Sequence, residues 1–400
     1  MGIVAQPLRI PALPHSPPGH DLPVPTDDAR RHSDRLSETI RDEIAAAGGW
    51  IGFARFMELA LYAPGLGYYV AGATKLGGDG DFVTAPEISP LFGRTLARQI
   101  AELIQRTGGE VLELGAGSGT MAADVLGELQ SMERLPRRYL ILETSPQLAQ
   151  RQQRMLRQRH PALMDRIEWI RALPADFDGV IVANEVLDAL PVHLVAWRKN
   201  GLFERGVSWQ DGFVWSERPL EPGTLRSAAE AIGAEADYVS EIALLTPALV
   251  RSLSAALRKG ALLLVDYGFG RREYYHPQRS LGTLMCHYRH RAHVDAFFLP
   301  GLQDLTAHVD FTAIAEAGID SGLDLLGYTT QAQFLVNSGI TALLEEHSTD
   351  AATSRFALTA GVQKLLSPAE MGELFKVIAL GRGIDGPLLG FTSGDKSRLL

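Results

Sequence analysis

The sequence is nearly devoid of cysteine, since Cys286 is the single one among 400 residues. One thiol excludes an intramolecular disulfide and a zinc site built from several cysteines. No run of about 18 apolar residues occurs, so we expect no transmembrane helix. The chain also lacks a basic surplus, because its net charge is −9 at pH 7. Nucleic-acid partners, which are usually met by basic surfaces, are therefore not expected either.

Histidines recur at every third position in the segment from Cys286 to His293 and invite a metal site. Imidazole suits zinc or copper, but Arg289 and Arg291 in the same segment would repel a cation. No paired ligands accompany the histidines. We therefore predict no metal and interpret residues 271–300 as a polar loop over a site.

The first thirty residues hold seven prolines together with Asp21, Asp27 and Asp28. They show neither the pattern of a signal peptide nor the Arg-rich, acid-poor pattern of a mitochondrial presequence. We predict a flexible, proline-rich tail over residues 1–33. This composition favours the bacterial cytoplasm over the mitochondrial matrix as the location.

Helical periodicity follows the tail. Leu36, Ile40 and Ile44 recur every four residues, with Ser33 in the N-cap position. Further helical stretches and a loop rich in Gly, Pro and Asp continue to residue 108. Residues 34–108 are therefore predicted to be a helical region whose long loop covers the substrate or the cofactor.

Five short apolar segments separated by helical stretches follow from residue 109 onward. Such segments indicate buried parallel strands, and right-handed crossovers between them give a doubly wound, mostly parallel sheet. We predict an α/β fold over residues 109–400, with a β-hairpin insertion near 195–245 and helical insertions near 331–380, the last running from Pro368 to Leu380. Leu388–Thr392 is expected to close the sheet. The predicted strands are Glu110–Leu114, Tyr139–Glu143, Ile167–Ile170, Gly179–Ala183 and Ala261–Val265.

A glycine-rich turn links the first of these strands to a helix. It contains Glu113, Gly115, Gly117 and Gly119, and such glycines let the backbone turn sharply and approach a ligand closely. The third glycine comes one residue earlier than in the dinucleotide fingerprint, which favours S-adenosylmethionine over NAD. Glu143 ends the second strand, where a carboxylate can accept both ribose hydroxyls. A turn required only for strand–helix packing remains the alternative.

The segment after the fourth strand begins with Asn184 and Glu185 and continues to Asp188. Ligands of doubly wound sheets bind at the carboxyl ends of the strands, so these side chains are expected at the mouth of the site. If a helical turn begins there, Glu185 and Asp188 share one face. Two carboxylates suit an acceptor that is cationic or donates hydrogen bonds. Alternatively, Asp188 only caps a turn.

Six motifs, in this order along the chain, resemble those of the MidA-like methyltransferases. That family includes the mitochondrial protein-arginine methyltransferase that assists complex I assembly. The resemblance runs from about residue 34 to the C-terminus. The motifs are Gly80–Ser89, Glu113–Gly119, Asn184–Pro191, Asp304–Phe311, Thr330–Leu335 and Met371–Leu380.

The resemblance implies a class I methyltransferase fold and an S-adenosylmethionine cofactor. It suggests methyl transfer to an arginine of a partner protein, with a respiratory complex I subunit as a candidate. Arginine is a poor nucleophile because its pKa lies above about 12, and a carboxylate can take up the proton that the reaction releases. Glu185 is the first choice for this catalytic role, Asp188 the second, and Asp81 a third.

Other candidates lie in loops near the expected site. Thr84 and Pro86 belong to the loop that is expected to cover the cofactor. Asn184, after the fourth strand, is a further candidate for cofactor binding. Asp266 and Tyr267 end the fifth strand and, with His308, are candidates for binding the acceptor. Purely structural roles remain open for all of them. Two competing functions also remain open, a nicotinamide-dependent oxidoreductase and a non-catalytic assembly factor that binds S-adenosylmethionine.

Overall fold

The computed structural model describes residues 22–71, 83–346 and 352–400. Several helices in these ranges start at residues of the preferred N-cap types, including Thr26, Ser89 and Ser145, whose side chains accept a first-turn backbone N–H. None of the helices in these ranges is long and apolar enough to cross a membrane. The α-helices are α1 (Asp27–Ala46), α2 (Phe53–Tyr62), α3 (Ala85–Ile88), α4 (Pro90–Thr107), α5 (Thr120–Ser131), α6 (Pro146–Arg159), α7 (Thr224–Ile232), α8 (Leu245–Ala256), α9 (Arg271–Tyr274), α10 (Phe311–Asp320), α11 (Gln331–Asn337), α12 (Ile340–Glu346) and α13 (Ala352–Leu366).

The strands of the described ranges form one large sheet and two smaller ones. They are β1 (Ile51–Gly52), β2 (Glu110–Leu114), β3 (Tyr139–Leu142), β4 (Ile167–Ile170), β5 (Phe177–Asn184), β6 (His193–Arg198), β7 (Gly201–Trp209), β8 (Phe213–Pro219), β9 (Tyr238–Ile242), β10 (Leu257–Phe269), β11 (Met285–Tyr288), β12 (Arg291–His293), β13 (Asp304–Thr306), β14 (Val309–Asp310), β15 (Asp324–Thr330) and β16 (Phe375–Arg382).

The large sheet has the strand order β15-β16-β10-β5-β2-β3-β4. Five adjacent strands of this sheet run parallel to one another, namely β10, β5, β2, β3 and β4. β16 is antiparallel to both of its neighbours. β14 adds a short parallel pairing at the end of β10. The predicted α/β fold with a doubly wound, mostly parallel sheet is confirmed.

Helices cover both faces of this sheet, which explains why its central strands are apolar throughout. Val111 and Val180 point to the face that is covered by α4 and α5. Their neighbours Leu112 and Ile181 point to the opposite face, where α8 and α10 pack. Each central strand therefore contributes side chains to two hydrophobic clusters.

The order of connections brings the predicted site residues to one edge. The chain passes from β2 to β3 on one side, and β5 then pairs with the other side of β2. The loops after β2 and β5 therefore diverge at the carboxyl ends of adjacent strands, where doubly wound sheets form a ligand-binding crevice.

A second sheet has the order β1-β7-β6-β9, with β8 paired to β7. The predicted hairpin insertion is confirmed, with turns at residues 199–200 and 210–212. Side chains of α1, α2 and β7 share one hydrophobic cluster with residues of β11 and β13. The interpretation of residues 271–300 as a loop is wrong in part, because β11 and β12 pair within it and β13 extends the small sheet.

The predicted end of the tail at residue 33 is wrong. α1 begins at Asp27, because the side chain of Thr26 accepts a hydrogen bond from the N–H of Ala29 and two aspartates occupy the first turn. Acidic residues at a helix N-terminus interact favourably with its dipole. Ser33 is not an N-cap; it lies buried within the helix.

Two predictions near the C-terminus are also wrong. The helix predicted for Pro368–Leu380 does not form, because residues 368–374 are turns and β16 takes up the second half. Leu388–Thr392 is not a strand, because Leu389–Phe391 forms a short 3-10 turn. A continuous apolar run such as Val377–Leu380 does not distinguish a buried strand from a buried helix by periodicity. β16 pairs with β10 and β15 and closes the sheet instead.

Candidate active site

A cavity of about 410 Å³ lies at the carboxyl edge of the large sheet, which is within the usual range for small-molecule sites. The loops after β2, β3 and β5 form its floor. Segment 84–87 and the side chains of Tyr62 and Tyr69 form the opposite wall. The apolar part of the lining is built by Leu142, Leu148, Val186, Leu190 and Leu249.

The loop after β2 needs its glycines for their backbone conformation. Gly115, Gly117 and Gly119 have φ values of +62°, +54° and +86°, a region that glycine adopts at little cost. A Cβ atom on Gly119 would lie 2.8 Å from Cε of Met155. Gly119 also precedes the first residue of α5, so the loop passes around the N-terminus of a helix, a common anion-binding position.

Glu143 and the glycine loop are held together by one side chain. Nε2 of Gln152 donates to Oε2 of Glu143 and to the carbonyl oxygen of Gly117, both at 3.0 Å. Oε1 of Gln152 accepts from Nε1 of Trp169 at 2.9 Å. Burial raises the pKa of Glu143, and the N–H of Ser145 donates to its second oxygen. The carboxylate therefore has a fixed orientation at the cavity wall.

Glu113 is the acidic residue at the start of the loop, and it lies almost fully buried while still reaching the cavity. The hydroxyl of Tyr139, on the neighbouring strand, donates to its carboxyl group at 2.6 Å. Burial raises the pKa of Glu113 to about 7. The hydrogen bond from Tyr139 thus holds the carboxyl group of Glu113 in place beside the cavity.

Glu185 connects the end of β5 to the segment on the opposite wall. Its backbone has a φ of +52°, an uncommon conformation for a residue with a side chain, and its N–H donates to the carbonyl of Val265. Oε1 accepts from the N–H of Ala85 and from Nδ2 of Asn184, both at 3.0 Å. Burial raises the pKa of Glu185 to about 8.

Asp188 and Asp266 lie next to Glu185 in a buried group of carboxylates. Oδ2 of Asp266 accepts from the backbone N–H groups of Leu187 and Asp188, at 2.9 and 3.3 Å. The hydroxyl of Tyr267 donates to Asp188. Burial raises the pKa of Asp188 to about 6, and burial together with the nearby carboxylates raises the pKa of Asp266.

No lysine or arginine in the described part of the chain neutralises these three carboxyl groups. In addition, Oδ1 of Asn184 and Oδ1 of Asp188 are buried acceptors that have no hydrogen-bond partner among the described residues. Buried acceptors are normally satisfied. The site therefore offers unsatisfied acceptors, and carboxyl groups that ionise more readily beside positive charge, to a ligand that brings donors or positive charge.

The model of a protein family described as "Putative S-adenosyl-L-methionine-dependent methyltransferase" matches residues 95–329, which is more than half of the chain. The chain belongs to this family. It is therefore an S-adenosylmethionine-dependent methyltransferase, and the resemblance to the MidA-like enzymes is confirmed. The nicotinamide-dependent oxidoreductase considered as an alternative is set aside.

Individual relatives agree with this assignment. The methyltransferase is 30% identical over 386 residues to "Protein arginine methyltransferase NDUFAF7, mitochondrial" of Danio rerio, covering 87% of this chain and 88% of that protein. The human protein of the same name is 30% identical over 373 residues, covering 83% of this chain and 80% of that protein. A Burkholderia thailandensis protein, crystallised with S-adenosyl-homocysteine, superposes with a TM-score of 0.92 at 51% identity, covering 95% of this chain and all of that chain.

The cavity fits a cofactor of this class. Its apolar leucines suit a purine ring, and the oriented carboxylate of Glu143 suits a ribose diol. The glycine loop provides a close backbone approach. Eight of the predicted site residues line this one cavity: Thr84, Pro86, Glu113, Gly115, Gly117, Glu143, Asn184 and Glu185. Asp81 lies outside the described residues.

Three predicted acceptor-binding residues do not line the cavity. Asp266 is fully buried and its oxygens accept only backbone N–H groups, so the prediction that it contacts the acceptor is wrong. Tyr267 lies behind Asp188, and the ring of His308 stacks on Phe269 with its centroid 5.2 Å away. Asp266 and Tyr267 support the loop after β5 through their hydrogen bonds to Leu187 and Asp188.

The expected helical turn from Glu185 to Asp188 is also wrong. Residues 185–190 form an irregular loop, because the positive φ of Glu185 breaks helical geometry and Asp266 takes up the N–H groups of Leu187 and Asp188. The two carboxylates therefore do not share a helix face. Glu185 reaches the cavity, whereas Asp188 points to Tyr267.

Several residues of the site were not found from the sequence. Gln152 is a polar residue at a core-facing position of α6, four residues before the buried Leu156, and this mismatch was its one signal. The rings of Tyr62 and Tyr69 stack with their centroids 5.6 Å apart. The hydroxyl of Tyr62 donates to the carbonyl of Ala189, and that of Tyr69 donates to Asp304, each at 3.0 Å. Both tyrosines precede the glycine loop by more than 40 residues, so no sequence pattern joined them to it.

Proposed function

We propose that this chain transfers the methyl group of S-adenosylmethionine to an arginine side chain of a partner protein. The observation that carries the proposal is the buried carboxyl group of Glu185, which lines the cavity and has no cationic partner among the described residues. The buried carboxyl groups of Asp188 and Asp266 lie beside it and are likewise not neutralised there. A guanidinium is planar, permanently charged and rich in donors, and it forms strong charge-assisted hydrogen bonds with a carboxylate. The names of the relatives, which include protein arginine methyltransferases, support the same acceptor.

The cofactor is proposed to lie across the glycine loop. Gly115, Gly117 and Gly119 would approach it through the backbone, Glu143 would accept the ribose hydroxyls, and Glu113 and Asn184 would hold the amino-acid end. Thr84 and Pro86 would close the opposite wall. When bound, the sulfonium supplies an electrophilic methyl group. The chain then has to orient the acceptor and exclude water, and positioning of this kind is worth roughly 7–11 kcal/mol in favourable cases.

Glu185 is proposed as the group that takes the proton from the acceptor. Without an acceptor, burial raises its pKa to about 8. A guanidinium beside it favours the ionised form, so acceptor binding would lower this pKa and create the carboxylate that grips the substrate. As the new N–CH3 bond forms and the S–CH3 bond breaks, S-adenosylhomocysteine would be left behind and one guanidinium proton would pass to Glu185. Asp188 would add negative charge, and Asp81 is retained as a third candidate.

The acceptor protein and the location belong to the same proposal. We retain a respiratory complex I subunit as the candidate acceptor and the bacterial cytoplasm as the candidate location. The structural relative from Burkholderia thailandensis supports a bacterial setting, whereas the curated relatives carry "mitochondrial" in their names. Cell fractionation of a tagged chain decides the location.

The test separates binding from transfer with Glu185→Gln. Calorimetry with S-adenosylhomocysteine should give a Kd within a few-fold of wild type. Methylarginine formation in an extract from cells lacking the gene should fall by roughly 10²- to 10⁴-fold, the usual contribution of a proton acceptor. Glu168→Gln, at an exposed position of β4, is the matched control. A Glu185→Gln protein with near wild-type kcat would remove Glu185 from the mechanism.

A further inference from the structure

A second group of charged side chains surrounds the half-buried ring of Phe269, at the end of β10. Cζ of Arg279 lies 4.2 Å from the ring centroid, and Nζ of Lys376 lies 5.5 Å from it. The ring of His308 stacks on Phe269 at 5.2 Å with an interplanar angle of 4°. Side chains from separate segments of the chain thus converge on one aromatic ring.

Neither cation of this group forms an ion pair in the described ranges. Both donate instead to main-chain carbonyls, Arg279 to those of residues 273–274 and Lys376 to those of residues 373–374. Burial lowers the pKa of Lys376 to about 8, although the nearby Glu273 and Glu373 favour its charged form. A guanidinium has five N–H donors and an ammonium three, so donors remain. Burial, with Arg279 and Lys376 adding to it, lowers the pKa of His308 to about 4, which leaves this ring neutral.

The group lies close to the proposed arginine site. Tyr267 precedes Phe269 by two residues and, because strand side chains alternate, points to the same side of β10, about 7 Å away along the strand. Its hydroxyl donates to Asp188, and its ring contacts His308 at 5.1 Å. The 7 Å from Tyr267 to Phe269 corresponds to about two residues of an extended peptide, and Tyr267 connects this group to Asp188.

We propose that Phe269, Arg279, His308 and Lys376 form a subsite for an aspartate or glutamate side chain of the methyl-accepting protein, one or two residues from the target arginine. This inference rests on the proposed function, because it takes the target arginine to lie at Glu185. A guanidinium and an ammonium with spare donors bind a carboxylate through charge-assisted hydrogen bonds. The chain as a whole carries a net charge of −9, so attraction for an acidic side chain has to come from this local group.

The test uses two synthetic peptides, acetyl-Glu-Gly-Arg-Gly-Glu-amide and its counterpart with glutamine in place of both glutamates. Calorimetry is performed on the full chain saturated with S-adenosylhomocysteine. The glutamate peptide should bind roughly tenfold more tightly, as expected for one charge-assisted contact. Arg279→Gln and Lys376→Met should each reduce the difference, and Arg279→Lys should retain most of it. Arg272→Gln, at an exposed position of α9, is the matched control.

Equal Kd values for the two peptides, or no binding of the glutamate peptide up to its solubility limit, would overturn the subsite. If Lys376→Met lowers Tm strongly, Arg279→Gln carries the test alone. Failure of the proposed function has a different signature. In that case the preference for glutamate persists, but no methylarginine forms in any extract.

Discussion

Gln152 offers a direct test of how the cofactor site is held. Its Nε2 lies 3.0 Å from both the Gly117 carbonyl and Oε2 of Glu143, and leucine of similar size can donate to neither. A hydrogen bond to a charged group contributes about 1.5–3 kcal/mol and one to a neutral group about 1 kcal/mol. We expect part of this sum to be lost from binding, so that Gln152→Leu raises the Kd of S-adenosylhomocysteine roughly 10- to 100-fold, about 1.4–2.8 kcal/mol.

Isothermal titration calorimetry with S-adenosylhomocysteine measures this change, and thermal unfolding of each variant checks that it is folded. Gln158→Leu is the control, since Gln158 lies exposed on the same helix, and it should bind like wild type. A modest loss of stability is expected in Gln152→Leu, because Trp169 loses its acceptor. A folded Gln152→Leu protein with the wild-type Kd would refute the positioning role of Gln152.

The remaining predictions concern protonation, the glycine loop and the loop after β5. Burial raises the folded-state pKa of Glu185 to about 8, above the unfolded value of about 4.3. Between these pH values the folded state holds an extra proton, so the free energy of unfolding falls as pH rises through this window. Glu185→Gln should therefore flatten the profile of Tm against pH, and an unchanged slope would contradict the assignment. Gly119→Ala should weaken S-adenosylhomocysteine binding. The control Gly108→Ala, at φ +63° with open space around it, should cost only about 1 kcal/mol of stability. If calorimetry gives Gly119→Ala the same Kd as wild type, Gly119 has no role in cofactor binding. In Asp266→Asn the side-chain NH2 group faces a backbone N–H in either orientation, which disturbs the loop after β5. We therefore expect kcat for methylarginine formation to fall roughly tenfold while the Kd of S-adenosylhomocysteine stays constant. An unchanged kcat would show that this carboxylate does not hold the loop in its active conformation.

The position of the cofactor site was predictable because it depends on sheet topology and local sequence together. The glycine loop directly follows one apolar strand, Glu143 directly follows a second, and Asn184 ends a third. Parallel strands present their carboxyl ends at one edge. Once the alternation of strands and helices is recognised, these residues have to meet there.

The parts that were not predicted depend on contacts between distant segments. Val377–Leu380 has an apolar run that fits a helix or a strand, and the gap between β10 and β15 decides in favour of the strand. The conformation of Glu185 follows from hydrogen bonds to Ala85 and Val265, which no local pattern encodes. The same holds for Asp266. An acidic side chain directly after the predicted strand Ala261–Val265 is typical of a ligand-binding residue, but β10 continues to Phe269 and the partners of Asp266 are backbone N–H groups.

The central claim is that this chain methylates arginine. The most direct measurement is mass spectrometry of methylarginine across the proteome of cells with the gene, cells without it, and cells that carry Glu185→Gln in its place. The account predicts at least one protein whose arginine is methylated with the wild-type gene and unmodified in the other two strains. Identical methylarginine sites in all three strains would contradict it.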